Sequence, residues 1–87
     1  MAKILVVEDE SIVAWYLQEA LKHLGHQVVG SAISGEEALE CAAETQPNLV
    51  LMDIRLKGKM DGIAAAEQIY SRFDIPIVYL TAHADEC

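Results

Sequence analysis

The chain has 87 residues, enough for one small domain, and its 53% hydrophobic content is too high for a disordered segment. Fourteen acids against six bases give a net charge of −8, which disfavours nucleic acid and anionic membrane surfaces as partners. There is no uninterrupted apolar run of the ~18 residues a membrane span needs, and the N-terminal apolar run meets acid at once, unlike a signal peptide.

The first predicted element is a strand over residues 3–7, Lys3-Ile-Leu-Val-Val7, short, apolar and rich in β-branched residues. A helix follows over residues 11–24, with Val13, Leu17, Ala20, Leu21 and Leu24 recurring at three and four and Gly25 as its stop. Trp15 falls off that stripe, which leaves it to core packing or to an interface. Residues 26–32 read as a more polar strand at a sheet edge. Ser34-Gly-Glu-Glu37 has the pattern of a capping box and opens a second helix that Pro47 limits. Residues 49–52 and 75–80 read as two more buried strands. Between them lies a helix from about residue 61 to 72, with Ile63, Ala66, Ile69 and Tyr70 on one side. A last helix is expected to start near Ala84.

Alternating strands and helices predict an α/β layered fold with right-handed crossovers. Continuous apolarity in the strands means that both sheet faces are covered, as in a parallel sheet. Cys41 and Cys87 make no metal or disulfide pattern. The default location is therefore the reducing cytoplasm. His23 and His26 flank a helix-to-strand turn with no further ligand in sight, so they read as surface residues rather than a metal pair. Dinucleotide and P-loop glycine patterns do not occur.

In an open parallel sheet, ligands bind outside the carboxyl ends of the strands. The first strand ends in Glu8-Asp9, the third in Asp53 and the fourth in Thr81-Ala82. A lone acid at a strand end is ordinarily a solubility feature. Three acids converging beside a hydroxyl suggest more, because crowded carboxylates repel unless a cation neutralises them. Oxygen-only ligands suit Mg²⁺ or Mn²⁺. Such a site is suited to a phosphoryl group, with Asp53 as the attacking carboxylate and Thr81 donating to a phosphoryl oxygen.

Four segments taken together, Ile4-Leu-Val-Val-Glu-Asp-Glu10, Leu49-Val-Leu-Met-Asp-Ile-Arg-Leu56, Met60-Asp-Gly-Ile63 and Ile75-Pro-Ile-Val-Tyr-Leu-Thr-Ala82, resemble the receiver domain of two-component response regulators. The resemblance covers essentially the whole chain, residues 1–87. It implies a flavodoxin-like doubly wound parallel sheet of strand order 2-1-3-4. Asp53 is then the phosphoacceptor, taking its phosphoryl group from a histidine kinase or phosphotransfer domain. Asp9 holds Mg²⁺ directly and Glu8 holds it through water. Asp53 and the backbone carbonyl of Arg55 complete the metal set. Thr81 is the switch hydroxyl, Ala82 is the small residue beside the site, and Arg55 and His83 modulate phosphoryl lifetime. Gly62 belongs to the turn into the third helix. The resemblance implies an acceptor with possible self-dephosphorylation rather than a turnover enzyme. Arg55, at the place where a phosphohydrolase of this kind carries a second acid, also speaks against hydrolysis of small phosphate esters.

Two departures stand out. The family pattern continues to a fifth strand ending in lysine, whereas this chain ends at Cys87. The loop over residues 56–60 lacks the usual proline and is one residue longer than the common pattern. An incomplete receiver is therefore expected, self-associating through an exposed fourth strand and an uncovered sheet face. The alternative reading is a non-switching fragment that binds Mg²⁺ or dimerises without transmitting a phosphoryl signal.

Overall fold

A computed structural model of the chain describes residues 1–56 and 58–80. Its elements alternate as β1 (Lys3–Val7), α1 (Ser11–His23), β2 (Gln27–Ala32), α2 (Gly35–Thr45), β3 (Leu49–Asp53), α3 (Gly62–Phe73) and β4 (Ile77–Leu80). The strands form one parallel sheet in the order β2-β1-β3-β4. This is the flavodoxin-like arrangement that the resemblance implies. β2 lies at an edge, as its more polar sequence predicts. Thr81, Ala82, His83 and Cys87, and the helix expected near Ala84, lie outside the described residues.

The sheet is buried on both faces because successive residues of a strand point to opposite sides. Leu5, Val7, Val50 and Met52 pack with Ala38, Ala42, Ala65, Ala66 and Ile69, beneath α2 and α3. Ile4, Val6 and Leu51 turn the other way and meet Leu17 and Leu21 of α1. Extending β1 by one residue in this register brings Glu8 to the sheet rim, where its N–H donates to Ala32 O at 2.9 Å.

Side-chain caps set two of the helix starts. Ser34 Oγ accepts from Glu37 N at 3.1 Å, the first half of the expected capping box. The Glu37 carboxylate reaches one residue further back than expected, to Ile33 N at 2.8 Å. Asp61, placed by the sequence inside the third helix, is instead its N-cap and accepts from Ala64 N at 2.8 Å. Asp61→Ala is expected to cost about 1 kcal/mol, readable in a urea melt.

Several boundaries and faces differ from expectation for physical reasons. β4 begins at Ile77 rather than Ile75 because Pro76 has no N–H to give; its carbonyl still accepts from Val50 N at 3.0 Å. α3 buries Gly62, Ala65, Ala66 and Ile69, while Ile63 and Tyr70 are exposed. Small residues line the contact because α3 lies close to both the sheet and α2. In α1 the buried residue is Ala14, and Val13 and Leu24 of the expected stripe face outward. The β1–β2 register slips between Ile4 and Leu5, which pair with Val28 and Gly30. A Cβ at position 30 would meet Leu5 Cδ1 at 3.3 Å, so glycine eases that crossing.

His26 Nδ1 accepts from Ala2 N at 3.1 Å, which gives that histidine a structural role and fits the surface reading of the pair. Cys41 is half-buried against the α2–α3 core. Burial, aided by Glu37, Glu44 and Glu40, pushes its thiol above the ordinary value, which disfavours the thiolate. Of the residues expected to form an association surface on β4, Val78 and Tyr79 are exposed, Ile77 and Leu80 are half-buried and Ile75 is buried. Among the described residues, no helix is long and apolar enough to cross a membrane.

Candidate functional site

Parallel pairing brings the acids together. Val7 pairs with Met52, so the next residues along, Glu8 and Asp53, emerge side by side at the carboxyl end of the sheet. Asp9 follows at the turn into α1. One carboxylate oxygen from each of Glu8, Asp9 and Asp53 lies within 4.8 Å of the others. The sequence-predicted acidic pocket is therefore assembled by the β1–β3 register, which places Glu8 and Asp53, and by the turn into α1, which adds Asp9.

The cluster is only shallowly open to solvent: Glu8 is 6% exposed and Asp53 is 9% exposed. Two backbone donors fix the carboxylates. Glu10 N donates to Glu8 Oε2 at 3.1 Å, and Arg55 N donates to Asp53 Oδ1 at 3.0 Å. The Arg55 bond anchors one Asp53 oxygen, and a side-chain hydrogen bond ties Asp53 to Glu8. The Arg55 side chain is exposed. Asp53 pairs with Leu80 on β4, so the chain leaves the described residues just before Thr81, beside the site.

Electrostatics make this a strained anion cluster. Burial pushes the Glu8 carboxyl up to about 7, against the Glu10 N–H, which favours the anion; the Asp53 charge and hydrogen bonds to Asp53 and Asp9 add to the rise. Three hard oxygen donors, one of them carrying its proton up to about pH 7, are of the type and spacing that could hold a divalent cation. The residues present fit Mg²⁺.

A pH dependence follows. Glu8 has a folded value near 7 against an ordinary 4.5, so the folded state holds the proton more tightly than the unfolded state does. Its stabilising contribution is complete below 4.5 and is lost as pH rises through 7. The metal-free domain is expected to melt lower at pH 8 than at pH 5.5 through this group. Mg²⁺ should offset the loss, and Glu8→Gln should flatten the metal-free profile. A metal-free melting temperature that rises steadily over this range, unchanged in shape by Glu8→Gln, would contradict the assignment.

Gly62 has a role that sequence reasoning gave only in part. It is more than a turn residue, because a Cβ there would run into the Asp53 carbonyl oxygen and reach Asp53 C and Ile54 Cα at 2.9 Å each. Gly62 N also donates to Ile54 O at 3.2 Å. α3 thus starts directly against the backbone that carries Asp53. The sequence signal was the glycine right after the Asp61 cap. A groove of about 480 Å³ lies at the opposite end of the strands near Pro47 and Phe73, away from the acids.

Residues 4–87 match the family model of the response regulator receiver domain. Similar curated proteins include the transcriptional regulatory protein PdtaR of Mycobacterium tuberculosis, 42% identical over 80 residues, which cover 92% of this chain and 38% of that protein. The phyllosphere-induced regulator PhyR of Methylorubrum extorquens is 34% identical over 84 residues, 95% of this chain and 32% of that protein. The chain thus spans about a third of the length of these relatives. Among solved structures, the signal receiver domain of a modulated diguanylate cyclase from Desulfovibrio desulfuricans superposes with a TM-score of 0.92 at 35% identity, covering 99% of this chain and 69% of that one. PhyR from Brucella abortus superposes with a TM-score of 0.88 at 33% identity, covering 98% of this chain and 35% of that one. With the acidic rim, the strand order and the family match over nearly its whole length, this chain belongs to the response regulator receiver domain family.

Proposed function

We propose that the chain is the phosphoacceptor of a two-component relay in the cytoplasm, with a histidine kinase or phosphotransfer domain as donor. The observation that carries this reading is the approach of three carboxylate oxygens to within 4.8 Å at one sheet rim. The Asp53 oxygen that Arg55 N does not hold attacks phosphorus, the P–N bond of the donor phosphohistidine breaks, and the imidazole leaves with the electron pair. Glu8, Asp9, Asp53 and the Arg55 carbonyl would hold Mg²⁺, which supplies neutralisation of the phosphoryl charge. Arg55 N keeps the other Asp53 oxygen in place during attack. Thr81 is the switch hydroxyl in this reading, and Ala82 and His83, with Arg55, set access and lifetime. The acyl phosphate adds about −1.5 to −2 charge at the rim, and that change is the signal passed to a protein partner. A structure of PhyR from Bartonella quintana is a complex with the anti-sigma factor NepR, and that PhyR chain is 33% identical to this one. A protein target is the output this likeness supports. In this reading the protein accepts a phosphoryl group, with self-dephosphorylation as its one further reaction, rather than turning over a substrate.

Beryllofluoride, a phosphoryl analogue for carboxylates, tests the site directly. ¹⁹F NMR is expected to show a bound signal that needs Mg²⁺ and disappears in Asp53→Asn. A bound signal that persists in Asp53→Asn would contradict the assignment.

A further inference from the structure

Asp53 is followed by a turn that carries the Arg55 N–H and carbonyl and ends at the start of α3. Its neck is closed by the Gly62 N to Ile54 O bond. Met60 comes just before that neck and packs, half-buried, against the core beneath α2 and α3. Its side chain lies across Gly35, the first residue of α2. A Cβ at Gly35 would come within 3.0 Å of both Met60 Cγ and Sδ, and within 3.1 Å of Ala65 Cβ. From α3, Gln68 Nε2 donates to Met60 Sδ at 3.9 Å. One side chain of the turn thus meets both helices. We propose that Met60 is a positioning residue, a strut from the start of α2 that keeps Arg55 N on Asp53 and, with it, the Arg55 carbonyl ready for Mg²⁺. The metal role rests on the phosphoacceptor reading, whereas the hold on Arg55 N is a property of the metal-free chain.

Three observations favour a strut over a plain core filler. First, its seat is fixed without it. Ser34 Oγ accepts from Glu37 N, and the Glu37 carboxylate accepts from Ile33 N, so the start of α2 is braced by its own bonds. Second, the seat is shaped for one long side chain. Gly35 and Ala65 are both buried and small, and an unbranched thioether fills the irregular space over them. Third, the contact frames the acid cluster. Ala32, at the end of β2 and three residues before Gly35, accepts from Glu8 N. The strut therefore joins the turn that follows Asp53 to the turn that follows the backbone partner of Glu8. Leu56 is buried at the near end of the Asp53 turn, and Met60 anchors its far end. A core filler would act on the whole domain alike. A strut acts on the Arg55 side of the cluster and leaves the bond from Glu10 N to Glu8, on the β1–α1 side, as it is.

Amide hydrogen exchange, followed by NMR on the metal-free chain, tests this. Met60→Ala is expected to speed exchange of the Arg55 N–H about tenfold, as a local opening. The Glu10 N–H is expected to keep its rate. Met60→Leu, a swap that nearly conserves volume, should restore the parent rate at Arg55. Mg²⁺ affinity, read by titration of the same amide signals, should fall about tenfold in Met60→Ala, the lower end for residues that orient metal ligands, and recover in Met60→Leu. Gly35→Ala crowds Met60 from the α2 side. It is expected to speed Arg55 exchange in the parent and to add nothing in Met60→Ala, where the thioether is gone. Equal acceleration at Arg55 and Glu10 would overturn the proposal, because it marks general loosening of the domain. Unchanged Arg55 exchange in Met60→Ala, or a Gly35→Ala effect of the same size with and without Met60, would also overturn it. A parent chain that binds no Mg²⁺ would count against the phosphoacceptor reading, and the metal-free exchange rates would still decide the role of Met60.

Discussion

Gly62→Ala is expected to destabilise the domain by about 3 kcal/mol, at the upper end of overpacking penalties, and to displace the phosphoacceptor. The added methyl has nowhere to go. It meets backbone, the Asp53 carbonyl and Ile54 Cα, rather than a side chain that can rotate away. Either α3 retreats and breaks the Gly62 N to Ile54 O bond, or the end of β3 shifts. The first outcome loosens the Ala65–Ala66–Ile69 contact with the core. The second moves Asp53 out of line with Glu8 and Asp9. A denaturant midpoint measured with Mg²⁺ affinity separates the two. Substantial loss in either is expected, and a variant with unchanged stability and unchanged Mg²⁺ binding would contradict the close approach.

Asp53→Asn is expected to act in opposite directions on chemistry and on stability. The amide cannot form an acyl phosphate, so phosphoryl uptake should vanish. The same change removes a negative charge from beside Glu8, whose carboxyl the Asp53 charge helps push up to about 7. Repulsion in the metal-free state should fall, and Glu8 should titrate closer to its ordinary range. The variant is therefore expected to melt higher than the parent at pH 8 without Mg²⁺, by roughly 4–8 °C for each kcal/mol relieved in a domain of this size. The gain should shrink when Mg²⁺ is added, because the cation already neutralises the parent cluster. Functional sites commonly hold such stored repulsion. A thermal melt of both proteins with and without Mg²⁺ checks the sign: a variant that melts lower in the absence of metal would contradict the electrostatic account.

Much of this was legible in the sequence because the controlling physics is local. Continuous β-branched runs such as Ile4 to Val7 mark strands covered on both faces, and the acids that follow them land at the rim whatever the details of packing. The strand order was not readable from periodicity and came with the family resemblance. What escaped was set by contacts between distant segments. Periodicity puts Ile63 and Tyr70 on the buried side of α3, yet the helix sits too close to α2 and the sheet for large residues, and alanines take the contact. It likewise favours Val13 in α1 over the smaller Ala14. The slip in register opposite Val28 and Gly30 has no one-dimensional signature. The need for glycine at 62 is visible only when the start of α3 is seen against the end of β3. The burial of Glu8, which sets its protonation, depends on β1 lying between β2 and β3.

The central claim is that the three rim carboxylates form one cation-assisted phosphoacceptor. The most direct measurement is intact mass after incubation with acetyl phosphate, with and without Mg²⁺, for the parent chain and Asp53→Asn. The predicted result is a single phosphoryl adduct on the parent that requires Mg²⁺ and is absent from Asp53→Asn. An adduct that forms equally without Mg²⁺ or persists in Asp53→Asn, or a folded parent that takes up no phosphoryl group under any of these conditions, would contradict it.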